Sequence, residues 1–226
     1  MMAQPMNKLV QGFELVKQYI SPKAVQILID EITKSNELKS PHGIRNAEKK
    51  FECIAELAHS ENILAKARSI LGGEPQLVRA IFFDKNPEKN WLVSWHQDKT
   101  VSVNKKHHID GWGPWSLKDK THHVQPSESV LNNMVTFRIH LDDSNADNGC
   151  LKVIPNSHTR GVLTQLEIDS LVKNAVFVEC EANSGDMLIM SPLILHASSK
   201  ARLPKHRRVI HLEFSSYNLP NDFYWS

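Results

Sequence analysis

Met134-Val135-Thr136-Phe137-Arg138-Ile139-His140-Leu141-Asp142 alternates without a break. Val135, Phe137, Ile139 and Leu141 form an apolar set, and Thr136, Arg138 and His140 a polar one. Successive side chains of a strand point to opposite faces, so this stretch reads as a β-strand with one face in an apolar core. Similar short runs surround it: Leu77 to Lys85, Trp91 to Trp95, Cys150 to Pro155, Val176 to Cys180, Met187 to Met190 and Arg207 to Phe214. Helical periodicity is concentrated before them. Ser21-Pro22 opens a helix with Ser as N-cap and Pro at the first helical position, and Val25, Leu28, Ile29 and Ile32 form its stripe. A second helix is expected over Ala47 to His59, with Phe51, Ile54, Ala55 and Ala58 on one face. A third runs from Ser60 to Leu71 and stops at Gly72-Gly73. The expectation is a mainly β fold, a jelly-roll or cupin-like double-stranded β-helix, with N-terminal helices packed on one sheet.

Upstream of the alternating strand stands Trp95-His96-Gln97-Asp98. Residues i and i+2 of an extended segment share a face, so His96 and Asp98 can point at one metal ion, and a regular strand would turn Gln97 away. Far downstream, His196 in Ile194-Leu195-His196-Ala197-Ser198 offers a third ligand. Two histidines and a carboxylate form the facial triad of non-haem Fe(II) oxygenases, which leaves coordination positions open. Arg207 follows on a strand where it shares a face with Val209, His211 and Glu213, opposite Ile210, Leu212 and Phe214. A guanidinium fork matches a carboxylate with two parallel charge-assisted hydrogen bonds. Arg208 then falls on the outer face.

The 226 residues read as a single domain, with net charge +2 and 41% apolar residues. This balance demands neither nucleic acid nor a membrane as partner. Cys53, Cys150 and Cys180 lack CxxC spacing and read as reduced thiols of a cytoplasmic protein. The start of the chain lacks the apolar core of a signal peptide, and no apolar run approaches the roughly 18 residues of a membrane span. Lys200, Arg202, Lys205 and Arg208 make a basic run without aromatic interleaving. Residues 101–134, with Trp112, Trp115 and the pair His122-His123, read as an ordered loop inserted over the mouth of the site.

The set His96-Gln97-Asp98, Asn148-Gly149-Cys150-Leu151-Lys152-Val153-Ile154-Pro155-Asn156-Ser157-His158, Gly185-Asp186, His196-Ala197-Ser198 and Arg207 resembles the phytanoyl-CoA dioxygenase family over residues 10 to 215. The resemblance implies an Fe(II)- and 2-oxoglutarate-dependent oxygenase that uses O2 on a double-stranded β-helix. It implies that His96, Asp98 and His196 bind iron. Arg207 would then bind the distal carboxylate of 2-oxoglutarate, helped by Ser198 and Gln97. Family members often have Gly after the distal histidine, where Ala197 stands here. Related halogenases have a small residue at the position of Asp98, so Asp98 argues for hydroxylation of a small-molecule substrate.

On the inner face of the barrel, Thr136 joins the co-substrate contacts, and Arg138 and His140 the substrate contacts, with Trp112, Trp115 and His123 reaching in from the inserted loop. A buried Arg138 needs an anionic partner, either Glu213 or the substrate itself. The rival reading is a cupin-like metal-binding protein without turnover, for which Arg207 would have no use.

Overall fold

The computed structural model describes residues 9–35, 43–220 and 222–226. A short strand, β1 (Phe13–Val16), precedes helix α1 (Pro22–Thr33), where Ser21 caps the first turn by accepting from the Ala24 N–H. Strand β2 (Ile44–Arg45) leads to α2 (Ala47–Lys50), α3 (Glu52–Ala58) and α4 (Glu61–Leu71). The single helix expected over 47–59 is thus two. Phe51 leaves helical geometry (φ −130°, ψ 110°) and is buried with its ring 6.0 Å from that of Phe82. Anchoring that ring outweighs continuity of the helix. Gly72, at φ 70°, ends α4 in the left-handed conformation.

The remaining strands are β3 (Gln76–Lys85), β4 (Val93–His96), β5 (Val101–Val103), β6 (Trp115–Lys118) and β7 (Thr121–Val124). Helix α5 (Glu128–Leu131) leads into β8 (Met134–His140), followed by β9 (Leu151–Val153). Helix α6 (Gln165–Val172) starts with the reciprocal capping box of Thr164 and Glu167. Then come β10 (Val178–Cys180), β11 (Met187–Met190), β12 (His196–Ser198) and β13 (Arg207–Ser215).

Two antiparallel sheets form the barrel, one ordered β1-β11-β8-β13-β3-β2 and the other β10-β9-β12-β4. In chain order β8, β11 and β13 fall in the large sheet, and β9, β10 and β12 in the small one. This is the winding of a double-stranded β-helix. The outer face of the large sheet carries Phe82, Phe137, Ile139, Ile210, Leu212 and Phe214, which pack with Leu28, Ile32, Ile54, Ile63 and Ile70 of the helices. Each such side chain contributes about 1.5–3 kcal/mol on burial. The apolar face of β13 therefore lies under the helices, and Arg207, His211 and Glu213 turn inward.

Residues 101–134 are more regular than a loop. β5, β7 and β6 form a three-stranded sheet with its own apolar cluster, including Val101, Val103, Val124, Leu131 and Phe223. Its strands are three or four residues long and mix His, Ser and Lys with apolar residues, too short a pattern for periodicity to stand out.

Candidate metal centre and anion cradle

A cavity of about 200 Å³ lies between the two sheets, with His96, Asp98, His196, Ser198, Arg207 and Arg138 in its wall. A larger open groove of about 990 Å³ runs beside α6, but the titratable residues converge on the smaller space.

His96 and His196 are directly opposed on the paired strands β4 and β12, and their ring centroids lie 4.1 Å apart. Nδ1 of His96 is 2.8 Å from the Ser94 carbonyl oxygen, and Nδ1 of His196 is 2.9 Å from that of Ile194. A carbonyl only accepts, so both Nδ1 atoms carry protons and both Nε2 lone pairs are free. They converge on one carboxylate: His96 Nε2 is 3.8 Å from Asp98 Oδ1, and His196 Nε2 is 3.5 Å from Asp98 Oδ2. Burial favours the neutral form of Asp98, but His196, His96 and His211 when they carry a second proton, together with Arg79, outweigh it and hold the carboxyl well below the usual carboxylate range. Burial, reinforced by His96, pushes His196 down to about 3, which keeps it neutral, the form a metal requires. Two tethered imidazoles and an ionised carboxylate fit a divalent first-row metal with coordination positions left open. His196 is buried, while the side chains of His96 and Asp98 are 37% and 20% exposed, so the open side faces the cavity mouth.

Beyond the triad lies a cluster of cations. Arg207 is opposite Lys85 in the β13–β3 pairing. Arg207 Nη2 is 3.4 Å from Ser198 Oγ, and Lys85 Nζ donates to the same oxygen at 2.8 Å and to the Ser199 carbonyl at 3.0 Å. Ser198 in turn donates to the Gly149 carbonyl. Nε and Nη1 of Arg207 are buried without a partner among the described residues. Burial, then the neighbouring Arg138, pushes Arg207 down to about 10; burial, then Arg207 and Arg138, pushes Lys85 down to about 7. A buried guanidinium with two unpaired N–H groups beside a buried amine is costly unless an anion joins them. The arrangement fits a ligand carboxylate.

A third group runs along β13. Arg79 Nη2 donates to Glu213 Oε1 at 2.7 Å, His211 Nε2 lies 3.0 Å from the same oxygen, and Arg138 Nη1 lies 2.9 Å from His211 Nδ1. A guanidinium cannot accept, so Nδ1 of His211 is the acceptor and its proton sits on Nε2. Glu213 therefore belongs to Arg79 and His211, and the expected alternative of a direct Arg138–Glu213 pair is not formed.

Several predicted contacts are not brought to the cavity. Gln97 is buried on the other side of β4: Nε2 donates to the carbonyls of Gly161 and Leu193, and Oε1 accepts from the Leu163 N–H. It ties loops together, as the strand alternation implies. Trp112 meets Phe223 of the C-terminal segment edge-on and Trp115 meets it tilted, with ring centroids 5.7 and 6.5 Å apart. His123 is buried in the small inserted sheet, 3.3 Å from Ser102 Oγ. Thr136 and His140 are fully buried on β8, with no hydrogen-bond partner among the described residues for Thr136 Oγ1 or either ring nitrogen of His140, and neither lines the cavity. Lys85, Arg79 and His211 are the residues that sequence reasoning left without a role in the site. The signal was present in β3: Arg79, Ile81, Phe83 and Lys85 share a face opposite Val78, Ala80 and Phe82, yet only the register with β13 shows that this face is the barrel interior.

The phytanoyl-CoA dioxygenase family model matches residues 5–209, and the chain belongs to that family. A phytanoyl-CoA dioxygenase domain-containing protein 1 homolog of Dictyostelium discoideum is 30% identical over 191 residues, covering 78% of this chain and 58% of that protein. The chain spans about half the length of the curated relatives it matches. Among solved structures, EctD from S. alaskensis with 2-oxoglutarate and 5-hydroxyectoine bound superposes with a TM-score of 0.70 at 17% identity, covering 92% of this chain and 73% of EctD. HygX from Streptomyces hygroscopicus with nickel, 2-oxoglutarate and hygromycin B bound gives 0.67 at 13% identity, covering 91% and 83%. At such identities the likeness establishes the fold, the double-stranded β-helix.

Proposed function

We propose that this chain is an Fe(II)- and 2-oxoglutarate-dependent oxygenase that hydroxylates a small organic substrate with release of succinate and CO2. One observation carries the reading: a convergent His96-Asp98-His196 set shares its cavity with an Arg207 whose buried Nε and Nη1 have no acceptor among the described residues. A metal-binding protein without turnover would have no use for the second feature. When bound, iron and 2-oxoglutarate supply the oxidising power, with decarboxylation of the keto acid coupled to oxygen insertion into a substrate C–H bond. The protein's part is to bind and orient. His96, Asp98 and His196 hold the metal, with the proton on each Nδ1 fixing the ring orientation. Arg207, Ser198 and Lys85 take the distal carboxylate of 2-oxoglutarate. A co-substrate held in this cradle would be oriented within the same cavity as the His96-Asp98-His196 set.

The basic run supports a small-molecule substrate over nucleic acid, since Arg202 pairs with Asp147 and Arg208 with Asp142. No helix among the described residues is long and apolar enough to cross a membrane, and three free buried cysteines suit the cytoplasm. The test is succinate formation from 2-oxoglutarate with Fe(II) in air across a panel of small organic compounds. Absence of any succinate, uncoupled or substrate-stimulated, from metal-loaded protein would leave only the binding role.

Lys85 adds a pH signature. Its folded pKa of about 7 lies below the ordinary 10.5. The unfolded chain therefore holds more protons between those values, and this group makes the ligand-free protein more stable as pH rises through that window. A carboxylate in the cradle favours the ammonium again, so 2-oxoglutarate binding should take up a proton. Affinity should weaken above pH 7 by up to about tenfold per pH unit. Calorimetric titration of 2-oxoglutarate onto Mn(II)-loaded protein from pH 6 to 9 checks this. A slope identical in Lys85→Met would assign the dependence elsewhere.

A further inference from the structure

We infer that the substrate is a compact monocarboxylic acid whose carboxylate docks on Arg138; this rests on the oxygenase reading above. Arg138 is 7% exposed and lines the cavity. Among the described residues its guanidinium makes one hydrogen bond, from Nη1 to His211 Nδ1, a neutral acceptor that satisfies an N–H without balancing a charge. Nε is buried without a partner, and no described residue accepts from Nη2, so the Nε–Nη2 edge presents an unused fork. The guanidinium carbon lies 5.7 Å from the Phe83 ring centroid, and His211 holds the opposite end, which fixes the direction of that edge. Such a fork matches a carboxylate in bidentate fashion.

Charge balance points the same way. Arg79 is neutralised by Glu213. Asp98 offsets one charge of a divalent metal, and one carboxylate of the keto acid offsets the other. The second keto acid carboxylate is shared by Arg207 and Lys85. Arg138 is then left with a full positive charge in a place where burial already opposes it. Arg138 stands beside the cradle: it lies opposite His211, four residues along β13 from Arg207, and its charge reaches both Arg207 and Lys85. The one fork left free on Arg138 matches the two coplanar oxygens of a single carboxylate. Ile81, Phe83 and Leu151 supply an apolar wall for the carbon skeleton, and a cavity of about 200 Å³ admits only a compact one.

The test uses Mn(II)-loaded, oxygen-free protein saturated with 2-oxoglutarate. Small monocarboxylic acids, each paired with its primary carboxamide, and a set of phosphate monoesters are screened by unfolding midpoint, then titrated by calorimetry. At least one acid should bind, with its amide about thirtyfold weaker. Arg138→Gln should weaken the acid by a similar factor and leave the amide unchanged, the coupling expected of a direct contact. Arg138→Lys, which keeps the charge, should retain part of the preference and guards against a folding defect in the glutamine variant. The inference is overturned if acids and amides bind alike, if phosphate esters are preferred, or if no acid binds the saturated protein. It is equally overturned if Arg138→Gln weakens 2-oxoglutarate in place of the acid. Failure of the parent protein to bind 2-oxoglutarate would strike the oxygenase reading instead, and Arg138-dependent acid binding would survive it.

Discussion

Replacing His96, Asp98 or His196 by alanine is expected to lower Fe(II) affinity by more than about a hundredfold in each case, since changes to second-shell groups alone cost 10–100-fold. The three contribute through different constraints. His96 and His196 arrive on neighbouring strands with Nδ1 tied to a backbone carbonyl, so their Nε2 atoms are aimed before the metal enters. Asp98 is placed two residues on, where its N–H donates to the Pro192 carbonyl and pins the chain just past the strand end. Losing any one would leave two ligands, and losing Asp98 would also take away the carboxylate that offsets part of the metal's charge. Anaerobic Fe(II) titration of the three variants, with circular dichroism to confirm folding, is the measurement. A variant that binds as tightly as the parent removes that residue from the ligand set.

Arg207 and Arg208 should separate cleanly. Arg207→Met is expected to weaken 2-oxoglutarate by about thirtyfold or more, equivalent to 2–5 kcal/mol for a buried charged contact. The same change should leave the ligand-free protein as stable as before, or more so. The guanidinium it removes is buried with Nε and Nη1 unpaired, and an apolar side chain of similar length takes away that desolvation cost. Arg208→Ala should do the opposite. Arg208 donates through Nε and Nη2 to both oxygens of Asp142, an ordered bidentate pair outside the barrel. Its loss should cost about 1 kcal/mol of stability and leave 2-oxoglutarate binding unaltered. Isothermal titration and thermal melts of both variants decide the matter. The reverse pattern would mean that the inner and outer faces of β13 are exchanged.

Local order was legible wherever a repeat or a cap encodes it. The alternation of Met134 to Asp142 and of Arg207 to Phe214 sorts inner from outer residues, because side chains on a strand must alternate whatever the strand pairs with. Ser21, Thr164 and Gly72 mark helix ends through their own hydrogen bonds or backbone preference. His96 and Asp98 share a direction for the same local reason, and that reason also turns Gln97 away, as its bonds to Gly161, Leu163 and Leu193 show. Partnership between distant strands has no such local code. That His96 faces His196, Arg207 faces Lys85, and Glu213 takes Arg79 rather than Arg138 follows from the register of β4 on β12 and of β13 on β3 and β8. Register is chosen by the packing of both faces at once, with the helices over one and the cavity under the other. The folding of 101–134 into a sheet closed by Phe223, more than a hundred residues from Val101, is likewise a matter of non-local contact. Periodicity told which side each residue faces; only the assembled barrel settled what it meets there.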